Sequence, residues 1–113
     1  MCSILGFCSG EGSYEELRDA LMKTQTRGPD DSRMVNTGSG WLGFNRLSIM
    51  GITNNGMQPF VFDGSRTLPA SKLPAGKEGY QIPDTAQTVL VCNGEIYGFR
   101  PVKKELEIGR AHV

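Results

Sequence analysis

The chain opens with Met1-Cys2-Ser3-Ile4-Leu5-Gly6-Phe7-Cys8. The short apolar run over residues 3–8 predicts a buried β-strand, carrying Ile4, Leu5 and Phe7, that ties the N-terminus into a sheet. Tethering matters because a chain terminus is otherwise poorly ordered. Removal of the initiator methionine would leave a thiol and a free α-amine together on Cys2. Such an amine titrates close to neutral pH and is an established activator of a nucleophile.

One helix is predicted just after this strand. Ser13-Tyr14-Glu15-Glu16 is a capping box, in which the Ser13 hydroxyl accepts from the amide three residues later. Tyr14, Leu17 and Leu21 follow at helical spacing and form one apolar stripe. The helix must end before Gly28-Pro29, because a residue before proline avoids helical geometry.

The remaining pattern is that of a strand-rich chain, since 15 glycines and six prolines divide it into short apolar segments. Extended structure is predicted at 41–50, with a turn or bulge near Gly43 and Asn45, and again at 58–62. The β-branched run 88–92 predicts the clearest strand, which ends at Asn93-Gly94. Residues 63–87, rich in proline, glycine and serine, are predicted to form a long surface loop.

Charge and cysteine usage exclude several classes of protein. The 12 basic and 12 acidic residues give zero formal net charge, so we expect neither nucleic acid nor a membrane as partner. No segment approaches the roughly 20 apolar residues of a transmembrane helix, and we expect a cytoplasmic protein. Three cysteines without CxxC spacing argue against disulfides and zinc. We expect Cys8 and Cys92 to be buried small hydrophobic residues.

Five separated motifs together carry the functional signal. The motifs are Cys2-Ser3-Ile4, Arg27-Gly28-Pro29-Asp30-Asp31-Ser32, Asn45-Arg46-Leu47-Ser48-Ile49, Gly56-Met57-Gln58-Pro59 and Asn93-Gly94-Glu95-Ile96-Tyr97. Their order and content resemble the N-terminal glutaminase domain of asparagine synthetase (glutamine-hydrolysing), a class II glutamine amidotransferase of the N-terminal-nucleophile hydrolase fold. The RGPD, RLSI and NGEIY versions are similar to the asparagine synthetase branch of that class.

The resemblance implies the fold and its extent in this chain. It predicts an α+β protein built as an αββα sandwich of two antiparallel sheets. Residues 1–107 would form the N-terminal part of the amidotransferase domain, an incomplete fragment. Because an incomplete sheet exposes unpaired edges, we expect the isolated fragment to fold poorly and to be inactive.

The resemblance also implies roles for individual residues. Cys2 is the implied nucleophile in the hydrolysis of glutamine, with its α-amine moving the proton. The Asn93 side-chain amide and the Gly94 N–H are the implied oxyanion hole. The implied glutamine-binding residues are Arg46, Leu47, Ile49 and Glu95. Arg46 would hold the α-carboxylate of glutamine, and Glu95 would lie near its α-ammonium.

Further implications concern cofactors and partners. In the full-length parent, ammonia from L-glutamine would convert aspartate to asparagine in a C-terminal synthetase domain that uses ATP and Mg²⁺. No cofactor is expected within this chain, and the neighbouring Asp30 and Asp31 would leave a divalent ion underliganded. The resemblance leaves a homodimer of the parent open.

Departures from the family pattern fall in three places and at the C-terminus. Arg33 stands where a glycine commonly follows the RGPD-x-Ser motif in the family. Phe44-Asn45 replaces the residues, usually including a histidine, that precede RLSI. The 63–87 loop is longer than is typical of the family.

Residues 27–32 are predicted as a loop that packs beside the pocket. Residues 108–113 can be encoded by a sequencing-adapter read, so we expect a non-native tail, preceded by a helix that opens at Lys103.

Two alternatives stay open. Another class II amidotransferase, for example one of amino sugar synthesis, would share the terminal cysteine and the Asn-Gly pair but pass ammonia to a different acceptor. A non-catalytic cytosolic binding domain would retain Met1 and use Asn93-Gly94 only as a turn. The intact mass of the mature protein and the sequence after Glu107 separate these possibilities.

Overall fold

The computed structural model describes residues 2–8, 12–47, 56–94 and 98–111. Within them the chain forms two β-sheets and two α-helices, which confirms the predicted α+β class. The helices are α1 (Tyr14–Met22) and α2 (Phe99–Ala111). The strands are β1 (Ser3–Phe7), β2 (Asp31–Asn36), β3 (Trp41–Arg46), β4 (Phe60–Phe62), β5 (Thr67–Leu68), β6 (Ala75–Gly76), β7 (Gly79–Tyr80) and β8 (Thr88–Leu90).

The first sheet contains the N-terminal strand. Its described strands follow the order β1-β3-β2-β7-β6. β1 pairs antiparallel with β3, from Ser3 opposite Asn45 to Phe7 opposite Trp41. β2 and β3 form a hairpin whose connection includes Gly38 at φ 88°, a left-handed conformation that suits glycine. The N-terminus therefore runs along β3, tied into a sheet as the sequence predicts.

The second sheet is smaller, with the order β5-β4-β8 among the described strands. β4 pairs antiparallel with β8, from Phe60 opposite Leu90 to Phe62 opposite Thr88. The turn between β4 and β5 is closed by Asp63, whose carboxylate accepts the backbone N–H groups of Ser65 and Arg66, both at 2.9 Å. These two donors, that of Arg66 foremost, lower the pKa of the Asp63 carboxyl.

Two hydrophobic clusters define the layers. The first, the intersheet core, lies between the two sheets and contains Val35, Phe44, Met57, Val61, Ala70 and Leu73. The second lies between α1 and the first sheet and contains Leu17, Leu21, Met34 and Trp41. Successive residues of a strand point to opposite faces, so β2 gives Val35 to one cluster and Met34 to the other. The described part of the chain thus stacks α1, the first sheet and the second sheet.

Helix α1 begins as its capping sequence predicts. The Glu16 N–H donates to the Ser13 hydroxyl at 3.2 Å. Leu17 and Leu21 are buried, and the Tyr14 ring centroid lies 5.7 Å from that of Trp41. The apolar stripe predicted from the sequence is therefore the face that packs on the sheet.

Helix α2 starts at Phe99, four residues before the start predicted at Lys103. It presents exposed apolar side chains, among them Val102 at 56% and Leu106 at 66% exposure. Its helical geometry extends into the first residues of 108–113, and the non-native origin of that tail stays a prediction. Neither helix in the described ranges has both the length and the apolar character needed to cross a bilayer.

The 63–87 segment differs from its prediction as a surface loop. It contributes three short strands, and it buries Ala70 and Leu73 in the intersheet core. Gly79 explains part of this order, because its φ of 86° is left-handed and a Cβ there would lie 2.5 Å from Met34 O. Only glycine lets β7 approach β2 this closely.

Several local predictions are also corrected. Asp31 and Ser32 belong to strand β2 and not to a loop, while β3 pairs without a bulge across Gly43 and Asn45. The strands predicted at 58–62 and 88–92 are shorter in the structure, where they form β4 and β8. Cys8 and Cys92 are exposed, since they follow the ends of β1 and β8. Ile4 is 49% exposed because β1 is the last described strand on its side of the sheet.

Truncating Leu21 to alanine tests the packing of α1. Leu21 is 2% exposed, and removal of a buried leucine side chain costs about 2–5 kcal/mol through lost burial and the cavity left behind. The measurement is the free energy of unfolding in urea for the full gene product. Arg18→Ala, on the exposed face of the same helix, should change it by less than about 0.5 kcal/mol. Equal losses for both variants would contradict this packing.

Candidate active site

The Cys2 thiol is held at the end of strand β3. The Leu47 backbone N–H donates to Cys2 Sγ at 3.3 Å, and the thiol donates to Leu47 O at 3.7 Å. Cys2 is partly buried and packs against the intersheet core. Both backbone groups of Leu47 thus fix the sulfur on the inner face of the first sheet.

The 27–32 segment supports the same backbone from the other side. The Asp30 N–H donates to Arg46 O at 3.0 Å, so the Arg46–Leu47 peptide is bound at its carbonyl by one motif and at its N–H by Cys2. A Cβ on Gly28 would lie 2.8 Å from Arg46 N. The glycine of the RGPD motif is therefore required by a close approach of two backbone segments.

Arg46 is the last residue of β3 and is only 7% exposed. Along a strand, alternate residues share a face, so Arg46 lies on the same face as Phe44 of the intersheet core. Cys2 packs against that core as well. The structure therefore places the Arg46 side chain and the Cys2 thiol on the same side of the first sheet.

Asn45, on the opposite face of β3, is a buried polar hub. Its Nδ2 lies within hydrogen-bond distance of Ser3 Oγ at 2.9 Å and of Leu21 O at 2.8 Å. Thr24 Oγ1 is a further acceptor at 3.3 Å, and the Ser32 hydroxyl donates to Asn45 Oδ1 at 2.6 Å. The hub joins β1, β2, β3 and the end of α1 beside Cys2 and Arg46. From the sequence, Asn45 was part of a motif, of a predicted turn or bulge and of a departure from the family pattern, but it was assigned no role as a buried polar residue.

Asn93 and Gly94 follow β8 at an exposed position. A Cβ on Gly94 would meet nothing within 4 Å, so the space where a side chain would lie is open. Val91, two residues before Asn93, packs against the intersheet core that Cys2 also contacts. The Cys92 backbone is bound by the Gln58 side chain at 2.6 and 3.1 Å. The sequence marked the motif around Gln58 but assigned it no role.

Two of the predicted site residues, Ile49 and Glu95, lie outside the described residues. Leu47 acts through its backbone on Cys2. The structure thus connects the first three motifs around Asn45 and Leu47, and the last two through Gln58 and Cys92. The intersheet core links the two groups, since it contains Met57 and is packed against by Cys2.

Among the described residues, the neighbouring Asp30 and Asp31 belong to no cluster of metal ligands. Within the described ranges no group of three or more His, Cys, Asp or Glu side chains is placed to hold a metal ion. Asp31 instead forms an ion pair with Arg33 at 3.1 Å. The Arg33 guanidinium also lies 4.3 Å from the Tyr80 ring centroid, a cation–π distance. These contacts account for an arginine at this departure from the family pattern.

Comparison with known families matches residues 1–70 to the glutamine amidotransferase domain. The matched part contains the first four motifs, including Cys2 and Arg46, and ends before Asn93-Gly94. Among curated proteins and solved structures, the searches found no match to the chain.

Substituting Gly28 by alanine tests the close approach of the two backbones. The added methyl would be forced against the backbone at Arg46 N, and overpacking of this kind costs about 1–3 kcal/mol. Gly6→Ala is the matched control, because its Cβ would meet only Leu42 Cδ2, at an ordinary 3.7 Å. Urea unfolding of both variants should show a lower midpoint for Gly28→Ala alone. A midpoint unchanged from that of the unsubstituted protein would contradict the contact.

Proposed function

Since this chain belongs to the glutamine amidotransferase domain family, we propose that, as part of the full gene product, it hydrolyses the side-chain amide of glutamine with Cys2 as the nucleophile. The observation that carries the proposal is the placement of the Cys2 thiol. Its sulfur lies 3.3 Å from Leu47 N, and Leu47 directly follows the buried Arg46 in the chain. A residue that is only a small side chain after a start codon has no need of such fixed geometry.

The proposed reaction begins with proton transfer within Cys2. After removal of Met1, the α-amine accepts the thiol proton and the sulfur attacks the glutamine side-chain carbonyl carbon. The tetrahedral intermediate collapses as its carbon–nitrogen bond breaks, and the α-ammonium returns the proton to the departing ammonia. Water then attacks the thioester, the amine accepts a proton from that water, and glutamate leaves as the thiolate is restored.

Charge develops on the carbonyl oxygen during both attacks. In this proposal the Asn93 side-chain amide and the Gly94 N–H donate to that oxyanion, and loss of one such donor typically costs about 10²–10³ in rate. Support comes from the position of Asn93-Gly94 just beyond β8, whose Val91 packs on the same core as Cys2. Asn93 and Gly94 are both exposed residues.

Recognition of free glutamine requires groups for its two charged ends. We assign the α-carboxylate to Arg46, because a planar guanidinium binds a carboxylate with two parallel hydrogen bonds. Support comes from its burial on the Cys2 side of the sheet, where low solvent exposure strengthens such a bond. Glu95 is proposed for the α-ammonium, with Leu47 and Ile49 lining the substrate.

The proposed acceptor of the ammonia is aspartate, giving asparagine. This step rests on the resemblance of the RGPD, RLSI and NGEIY motifs to those of asparagine synthetase. ATP and Mg²⁺ would activate the aspartate in a second domain, and no residue of this chain is assigned to them.

Replacing Cys2 by alanine should abolish glutamine hydrolysis, with a loss of at least about 10³-fold in kcat/KM, because no other group can form the thioester. The assay is ammonia release by the full gene product. A glutamine-like diazo-ketone should alkylate Cys2 in the unsubstituted protein and spare Cys8 and Cys92, although both are more exposed. Cys8→Ala should retain activity. Retained Met1, equal labelling of the cysteines, or an active Cys2→Ala variant would refute the nucleophile.

The acceptor is tested separately from the hydrolysis. The full gene product with glutamine, aspartate, ATP and Mg²⁺ should form asparagine, measured by chromatography. Ammonium chloride should replace glutamine as the nitrogen source, and in the Cys2→Ala variant it should be the sole effective one. Glutamine hydrolysis without asparagine formation would remove aspartate as the acceptor and leave the hydrolysis standing.

A further inference from the structure

Gln58 binds both backbone groups of one residue on another segment. Its Oε1 accepts the Cys92 N–H at 2.6 Å, and its Nε2 donates to Cys92 O at 3.1 Å. A side-chain amide used in this way imitates a backbone strand partner. Cys92 is the residue immediately before Asn93, so the contact acts on the backbone that leads into Asn93-Gly94.

The sheet register explains why Gln58 is in the right place. In the ladder between β4 and β8, Phe60 lies opposite Leu90. Gln58 lies two residues before Phe60 and Cys92 two residues after Leu90, so both follow the same end of this ladder. Pro59 has no N–H to donate to the ladder, and strand pairing ends at Phe60. The Gln58 side chain takes over where backbone pairing stops.

Gln58 itself is firmly anchored. Its neighbours Met57 and Pro59 are both less than 2% exposed, and Met57 belongs to the intersheet core. Met57 O also accepts the Ala70 N–H at 2.8 Å. Because the Gln58 backbone is anchored in this way, its side-chain amide can hold the Cys92 backbone at a fixed position relative to the intersheet core. Among the described residues that follow β8, Cys92, Asn93 and Gly94 are exposed.

We propose that Gln58 is a positioning residue that sets the oxyanion donors of Asn93-Gly94 through the Cys92 backbone. The inference rests on the proposed glutaminase function and adds a residue to it. Fixed donors stabilise charge that develops in the transition state and contribute little to binding of the uncharged amide. Loss of the double hydrogen bond should therefore lower kcat and leave KM nearly unchanged.

The test is steady-state glutamine hydrolysis by Gln58→Glu and Gln58→Met in the full gene product. Glutamate is isosteric and removes the donor to Cys92 O, while methionine fills a similar volume without either hydrogen bond. Both should lose about 10–100-fold in kcat, with KM changed less than twofold. Gln81→Glu makes the same chemical change at an exposed position and should leave kcat unchanged.

A pH series distinguishes a lost hydrogen bond from a general disturbance. A protonated glutamate regains a donor, so the kcat of Gln58→Glu relative to the unsubstituted protein should rise as pH falls from 8 towards 5, near the range where a glutamate side chain takes up a proton. The corresponding ratio for Gln58→Met should stay flat. Equal pH profiles for the two variants would overturn the proposed hydrogen bond.

Alkylation of Cys2 by a glutamine-like chloroketone separates this inference from the proposed function. Displacement of chloride forms no tetrahedral amide intermediate, so Gln58→Glu should still be alkylated at close to the unsubstituted rate. Unchanged kcat in both variants would overturn the positioning role. Joint loss of kcat, alkylation and thermal stability would also overturn it, since Gln58 would then support folding. Failure of the unsubstituted protein to hydrolyse glutamine or react at Cys2 would refute the proposed function itself.

Discussion

The buried amide of Asn45 is the constraint on which the N-terminal half of the site depends. A fully buried side-chain amide is costly unless its polar atoms find partners, and Asn45 finds them on Ser3, Leu21 and Ser32. These partners lie on three different elements, so the network closes only when β1, β2 and α1 take their places around β3. Cys2 precedes one partner and Arg46 follows the hub itself. Folding and assembly of the candidate site are thus one event.

The second half of the site is attached to the first through apolar packing. The intersheet core contains Phe44 from β3 and Val61 from β4, and it is contacted by Cys2 on one side and Val91 on the other. Apolar packing is non-directional, so it brings segments together without aligning their polar groups. Alignment falls to hydrogen bonds at the edges of this core, at Leu47 on one edge and at Gln58 on the other.

Local patterns in the sequence predicted the elements that form from local interactions. The capping box at Ser13 placed the start of α1, and apolar runs predicted β1 and β8. Strand β2 and the order within 63–87 were missed because they depend on distant partners. β7, for example, exists through a parallel pairing of Tyr80 with Val35, and a two-residue strand leaves almost no periodic signal.

The same distinction applies to the site. Motif order was enough to identify Cys2 and Arg46 as candidates, because residue type and sequence context carry that information. The link between Gln58 and Cys92 was not visible, since it depends on the register of β4 against β8. Register is a global property, as a slip of one residue would turn every side chain of a strand to the other face of the sheet. A contact of this kind is therefore less accessible to sequence reasoning than the candidate catalytic residues beside it.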